Sequence, residues 1–344
     1  MAARLAAVVV AIGMVAVALV ARDRVDGGDT GERSGPLVLA CITELARVCE
    51  EVDGHDGVEV RIGQRGDVAG SLADPDGTPS IDAWLTFAPW PESVDGRRGR
   101  AGAAPLFAGA TTLARSPLVI GVWADRTATL ARRCGEEVAG WRCLGEAAAA
   151  GDWAASGGDE SWGAVKVGLS DPSTSALGPL VLAQATVEWF SRDDVSRFDL
   201  ETDDGYRRWL AALEAAVRSR SGGELEQMLL APAALDAAAA TEAQAVSLLA
   251  RLASGRPRPD VIYPAPMATA DVVLATIGDR GRRLDDGVRA DLEAALAEAG
   301  WRLPDTPAGR PGLAPETPPL PQANGLPPAD VVDAIGDVWA EMAR

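Results

Sequence analysis

Three short stretches carry the side chains best suited to hold a small polar ligand. Asp171-Pro172 is followed by Ser173, Thr174 and Ser175. An Asp-Pro turn leading into a helix presents hydroxyls beside free backbone N–H groups, a combination that holds anions and polar groups. Ser173 and Thr174 serve equally well as plain helix caps. Gly63-Gln64-Arg65-Gly66-Asp67 reads as a turn after an alternating segment, with an amide on Gln64 and a charge-assisted donor on Arg65. Exposed loop residues of these types are more often only solvated. Trp90 stands directly after Ala88-Pro89 at the end of an apolar segment, where its ring either walls a cleft or packs into a core.

These groups bind; they do not form a catalytic set. His55 is the only histidine and sits in the polar turn Val52-Asp53-Gly54-His55-Asp56-Gly57. Histidine dyads and multi-histidine metal sites are therefore excluded. Asp193-Asp194 and Asp203-Asp204 lack the alternating ligands and central glycine of a calcium loop and read as solvated faces. No phosphate loop, dinucleotide fingerprint or nucleophile elbow is present. The expectation is a protein that is not an enzyme, with no catalytic residue, metal or cofactor.

Charge narrows the partners. Lys+Arg total 32 against 50 Asp+Glu, for a formal net charge of −18. Such a surface repels phosphate backbones and anionic lipid headgroups, which argues against nucleic acid. With 47% hydrophobic and 24% charged residues, the bulk is ordinary globular chain.

Residues 5–21 form an unbroken small and apolar run between Arg4 and Arg22-Asp23-Arg24. As a helix it spans about 25 Å, which suits either a signal-peptide core or a short membrane anchor. Both readings translocate the rest of the chain, and residues 26–35 read as a polar linker. The cysteines agree with that compartment. Cys41 and Cys49 are close in sequence, as are Cys134 and Cys143, and neither spacing is CxxC. Two disulfides in an oxidising space are expected, with three pairings open.

The elements that must position the ligand-holding groups alternate along the chain. Residues 37–41 read as a buried strand, 43–52 as a helix, 58–62 as a half-buried strand and 82–87 as a third strand ended by Pro89. This alternation indicates a parallel, doubly wound sheet. Further strands are expected at 117–123, 165–169, 260–264 and 271–275, with a turn-rich stretch over 141–162. Tyr206, Trp209, Leu210, Leu213 and Val217 share one helical face. Thr241-Glu242-Ala243-Gln244 has capping-box spacing. Residues 304–328 are rich in proline and are expected to wrap over the surface. Beyond them Val331, Val332, Ile335, Val338, Trp339 and Met342 form an apolar helical stripe.

The order of these pieces resembles the type II periplasmic binding protein fold, and within it the bacterial extracellular solute-binding proteins of the molybdate/sulfate-binding kind. The resemblance rests on Ser116-Pro117-Leu118-Val119-Ile120-Gly121-Val122, on residues 166–178, on Ile262-Tyr263-Pro264 and on Asp82-Ala83-Trp84-Leu85. It implies a two-lobed α/β protein, each lobe a doubly wound, mostly parallel sheet, preceded by the N-terminal hydrophobic helix. Lobe 1 would comprise 36–115 and 268–344, lobe 2 would comprise 116–267, and 1–35 would be the signal or anchor with its linker. In an open α/β sheet, ligands sit beyond the carboxyl ends of the strands, and two facing lobes share one cleft.

The resemblance places a ligand hydroxyl at Thr43, after the first strand, although Thr43 also suits a helix cap. Tyr263 lies at the return crossing, where its phenol either reaches the ligand or stays buried at the hinge. The implied function is capture of a small ligand, an anion among the options, for an ABC transporter permease. The turn at Gly63 lacks the serine that this family commonly places there. The alternative is a membrane-anchored sensor or protein-interaction domain with a degenerate cleft.

Overall fold

Continuous apolar runs become strands buried on both faces. The computed structural model describes residues 35–135, 140–284, 286–304, 313 and 317–342. The strands are β1 (Leu37–Ile42), β2 (Val58–Gly63), β3 (Ala83–Phe87), β4 (Phe107–Trp123), β5 (Val167–Gly168), β6 (Val217–Ser219), β7 (Ala237–Thr241), β8 (Pro259–Ile262) and β9 (Thr269–Ile277). They join in the order β2-β1-β3-β9-β4-β7-β5-β6, with β8 also paired to β4.

Strand β4 divides this sheet into two lobes. From Phe107 to Pro117 it pairs with β9, and from Leu118 onward with β7 and β8. Pro117 has no N–H to leave unpaired where the ladder changes partner. In lobe 1, β1, β2, β3 and the first part of β4 run one way and β9 runs against them. In lobe 2, β5, β6, β7 and β8 run together and the second part of β4 opposes them. Each lobe is therefore mostly parallel. The helix ends that such sheets direct toward a shared cleft follow from this topology.

Helices cover the sheet. They include α1 (Ala46–Glu50), α2 (Arg65–Ala73), α3 (Trp90–Arg100), α4 (Ala124–Cys134), α5 (Trp141–Ala149), α6 (Gly178–Phe190), α7 (Asp204–Ala216), α8 (Glu224–Leu230), α9 (Glu242–Ala250), α10 (Asp286–Glu298) and α11 (Ala329–Met342). Small residues let α8 lie close to lobe 2: a Cβ on Gly121 would sit 2.6 Å from Leu225 Cδ1, and one on Gly168 2.7 Å from Glu224 Cβ. The capping box of α9 forms as its spacing predicts, with Thr241 Oγ1 accepting from the Gln244 N–H and Gln244 Oε1 from the Thr241 N–H. Disulfides join Cys41 to Cys49 and Cys134 to Cys143, which decides among the three pairings.

Several local readings change. Residues 117–123 are only the end of a 17-residue strand, because the exposed Ala108–Thr112 portion has no apolar periodicity to reveal it. Residues 165–169 are extended into strand only at Val167–Gly168. Residues 141–149 form α5 rather than turns, and Val217 enters β6 rather than the face of α7. The described part of the proline-rich stretch does wrap. Arg115 Nη1 donates to the Pro321 carbonyl (2.6 Å) and Arg302 Nη1 to that of Pro318 (2.8 Å), so guanidinium groups replace a strand ladder. Helix α11 buries Val331, Val332, Ile335, Val338 and Trp339 and packs on α6 and α7 of lobe 2 and on α3 of lobe 1.

Leu37–Arg344 forms one compact unit. Of the unit Met1–Pro36 only Gly35 and Pro36 are described, so the signal or anchor expected at residues 5–21 lies outside the described residues. Among the described residues no helix is long and apolar enough to cross a membrane.

Candidate functional site

The two lobes meet at the turn formed by residues 172–177, immediately before α6. Arg65, the first residue of α2, reaches this turn from lobe 1. Its Nε donates to the Ser175 carbonyl (2.9 Å) and its Nη2 to the carbonyls of Pro172 (2.8 Å) and Ser173 (3.4 Å). The guanidinium also lies 4.4 Å from the centre of the Trp90 ring, and only 7% of Arg65 is exposed. Burial, followed by the neighbouring Arg97, lowers its pKa from the ordinary arginine value. Trp90 itself donates through Nε1 to the Ala176 carbonyl (3.1 Å). Hydrogen bonds from a charged donor contribute about 1.5–3 kcal/mol each, and a desolvated cation–π contact about 2 kcal/mol.

Glu44, two residues beyond β1, approaches the same turn with opposite charge. One of its carboxylate oxygens accepts from Ser175 Oγ (2.6 Å), Ala176 N–H (2.7 Å) and Leu177 N–H (3.3 Å). Ser175 Oγ in turn accepts from the N–H groups of Leu177 (3.0 Å) and Gly178 (3.1 Å), which makes it the hydroxyl cap of α6.

A cavity lies on each side of this contact. The larger, about 1100 Å³, is lined by Arg65, Trp90, Arg97 and Arg100 from lobe 1, by Ser173, Arg197 and Arg220 from lobe 2, and by Asp333, Asp337 and Trp339 of α11. Its charges alternate. Arg97 Nη2 lies 3.4 Å from Asp333 and donates to Ser93 Oγ (3.0 Å), and Arg220 pairs with Glu214 at 2.5 Å. The Trp339 indole N–H is buried and has no hydrogen-bond partner. The smaller cavity, about 410 Å³, is lined by Thr43, Glu44, Arg47, Phe87, Glu224, Gln244 and Trp301 among others. Among the described residues no group of three or more His, Cys, Asp or Glu could hold a metal ion. His55 is exposed and pairs with Asp291 at 3.5 Å, away from both cavities.

The sequence matches no protein-family model and no curated protein. Solved structures match its shape. A periplasmic thiamin binding protein superposes with a TM-score of 0.57 at 12% identity, covering 91% of this chain and 98% of that one. The periplasmic binding protein P5PA gives 0.54 at 16% identity over 90% and 100%. Iron-bound HitA from Pseudomonas aeruginosa gives 0.53 at 14% identity over 90% and 100%. The chain has the type II periplasmic binding protein fold. The matched structures share this fold while one binds thiamin and another is iron-bound.

Within that type II fold, the expected ligand residues fall into separate places. Arg65, Trp90 and Ser173 line the larger cavity, while Thr43 lines the smaller one. Thr43 Oγ1 donates to the Gly63 carbonyl (3.2 Å) and caps no helix. Arg65 is buried in a helix start rather than solvated in a turn, because carbonyl partners from lobe 2 replace water. Gln64 is exposed at the N-cap position of α2, with no side-chain capping bond. Ser173 is tied to Asp171, both Oγ (2.7 Å) and N–H (2.8 Å) donating to Oδ1, and the capping role expected of it or Thr174 falls to Ser175. The Thr174 carbonyl accepts from the Gly66 N–H at 3.4 Å.

Tyr263 lines neither cavity. Its phenol donates to the fully buried Glu242 (2.8 Å), which is also held by Arg302 Nε (2.8 Å) and Nη2. Burial and this carboxylate raise the phenol's pKa. Sequence reasoning missed Glu44, Arg97, Arg220 and the α11 acids. Glu44 alone had a usable signal, an acid at a strand-to-helix junction beside Thr43. The others come together only through tertiary contacts.

Proposed function

We propose that this protein is an extracytoplasmic solute-binding protein that captures a small polar ligand between its lobes and delivers it to an ABC transporter permease. The observation that carries this reading is the convergence of Arg65, Trp90 and Ser173, from opposite lobes, on one cavity of about 1100 Å³. Alternating guanidinium and carboxylate groups beside tryptophan faces favour a ligand with at least one anionic group and a compact body, held by charge-assisted hydrogen bonds and stacking. The lobe boundaries proposed are 36–115 with 268–344, and 116–267. They are supported by the change of partner along β4 near Pro117 and by the start of β9 at Thr269. The hydrophobic run at residues 5–21 would export or anchor the chain.

Isothermal titration of the intact chain against oxyanions, sugars, sugar phosphates and amino acids tests the proposal. Saturable binding by one class, weakened in R65A, is expected. Silence across the whole panel would reject it.

A second reading keeps the fold and retires the cleft, making the protein a membrane-anchored sensor or interaction domain. One observation favours it: Glu44 already fills the turn that precedes α6. A silent titration together with one protein recovered in a pull-down would support this version.

A further inference from the structure

The central contact of the cleft is a set of direct hydrogen bonds between the lobes. Three side chains of lobe 1 hold the turn at residues 172–177. Glu44 accepts from Ser175, Ala176 and Leu177, Arg65 donates to the carbonyls of Pro172, Ser173 and Ser175, and Trp90 donates to that of Ala176. The Ala176 and Leu177 N–H groups that Glu44 holds immediately precede the 13-residue helix α6, whose positive end favours a carboxylate there. Here the carboxylate is covalently part of the opposite lobe. Its effective concentration at the turn is therefore set by the chain rather than by the medium.

The backbones also approach closely. A Cβ added to Gly66 would sit 2.6 Å from the Ser173 carbonyl oxygen, so only glycine lets α2 reach the turn.

We infer that Glu44 is a tethered carboxylate that latches the lobes shut in the absence of solute. An anionic group of the chain thereby occupies the position that a free anion would otherwise take at α6. The latch is distinct from solute capture in the larger cavity, whose lining does not include Glu44. Its consequence is conformational. The solute-free protein is closed. A ligand gains no free energy from closing lobes that are already closed, since it shifts an equilibrium only through differential affinity.

Small-angle scattering and solute-free limited proteolysis of the full chain test the latch without needing to know the ligand. Solute-free wild type should have the radius of gyration of the closed form. E44A should expand and expose lobe-junction cleavage sites, with the closed-to-open ratio falling about tenfold or more, the equivalent of one hydrogen bond to a charged group. E44Q keeps the volume and removes the charge, and should expand to a lesser degree. G66A should open the lobes by wedging them while Glu44 is intact. Sodium acetate or formate at tens of millimolar, in constant ionic strength, should restore the compact radius of E44A and leave that of G66A unchanged. An open solute-free wild type, or E44A and G66A both as compact as wild type, overturns the latch. A panel titration that finds no ligand rejects the proposed function and leaves this result standing.

Discussion

Two helices in lobe 2 have a distant glutamate at their amino ends, and the two arrangements differ in which lobe supplies it. At α5, Glu188 accepts from the N–H groups of Trp141 (2.8 Å) and Arg142 (2.9 Å). At α6, Glu44 accepts from Ala176 and Leu177. Glu188 belongs to α6 itself, so its cap lies inside one lobe and closes only when that lobe folds. Glu44 belongs to the other lobe, so its cap can open with both lobes intact. Gly140 and Gly66 mark the same need for close approach. A Cβ on Gly140 would lie 2.4 Å from the Glu188 carboxylate, as one on Gly66 would lie 2.6 Å from a carbonyl oxygen. The same chemistry stabilises a fold in one place and joins two bodies in the other.

Of the two glutamates, Glu188 matters more to stability. E188A leaves two N–H groups without acceptors, one of them buried, and should lower unfolding free energy by about 2–5 kcal/mol in urea denaturation. The solute-free radius of gyration should stay unchanged. Equal expansion of E188A and E44A would erase the distinction between the two caps.

Glu188 also has a pH signature. Burial outweighs its backbone hydrogen bonds and raises its pKa from 4.5 to about 7. A raised folded-state value means that this group's contribution is fully present below about pH 4.5 and is lost as pH rises through about 7. Across that window wild type should lose on the order of 3 kcal/mol relative to E188Q, which cannot titrate. Parallel stability curves for the two proteins would remove this account.

On the cleft side, R65A gives up three carbonyl acceptors and the stack on Trp90. Solute affinity should fall about 10- to 100-fold by calorimetry, with R65K recovering only part of it, because a lysine cannot spread three donors in one plane. Tyr263 provides a smaller contrast. Y263F should cost about 1 kcal/mol in denaturation through the lost bond to Glu242 and leave solute affinity within about twofold. W339F should also cost about 1 kcal/mol, through the packing of the lost ring rather than a lost hydrogen bond, because the buried indole N–H has no partner. A drop in solute affinity in W339F alone would then identify that N–H as a ligand donor.

Local pattern carried much of the architecture. The apolar runs at β1, β3 and the end of β4, the capping box at Thr241 and the stripe on α11 were readable because burial on one or both faces leaves a periodic trace. The first part of β4 left none. Its Ala108–Thr112 portion is exposed, and its strand character comes from pairing with β9. At the site, Arg65, Trp90 and Ser173 were recognisable as binding-type residues at element ends. Gln64, Thr43 and Tyr263 look similar in sequence yet sit in solvent, in the other cavity and in a hydrogen-bond network with Glu242 and Arg302.

What the sequence determined by itself is the set of strands and helices, their alternation, the excess of negative charge and the small set of polar side chains at element ends. These depend on neighbours within a few positions, where propensity and periodicity act. Only the tertiary structure decided which charge meets which. The carboxylate of Glu44 and the guanidinium of Arg65 reach residues more than a hundred positions away, brought there by β4 crossing between lobes. Long-range electrostatic pairing depends on the approach of two surfaces, and a one-dimensional pattern does not encode that distance.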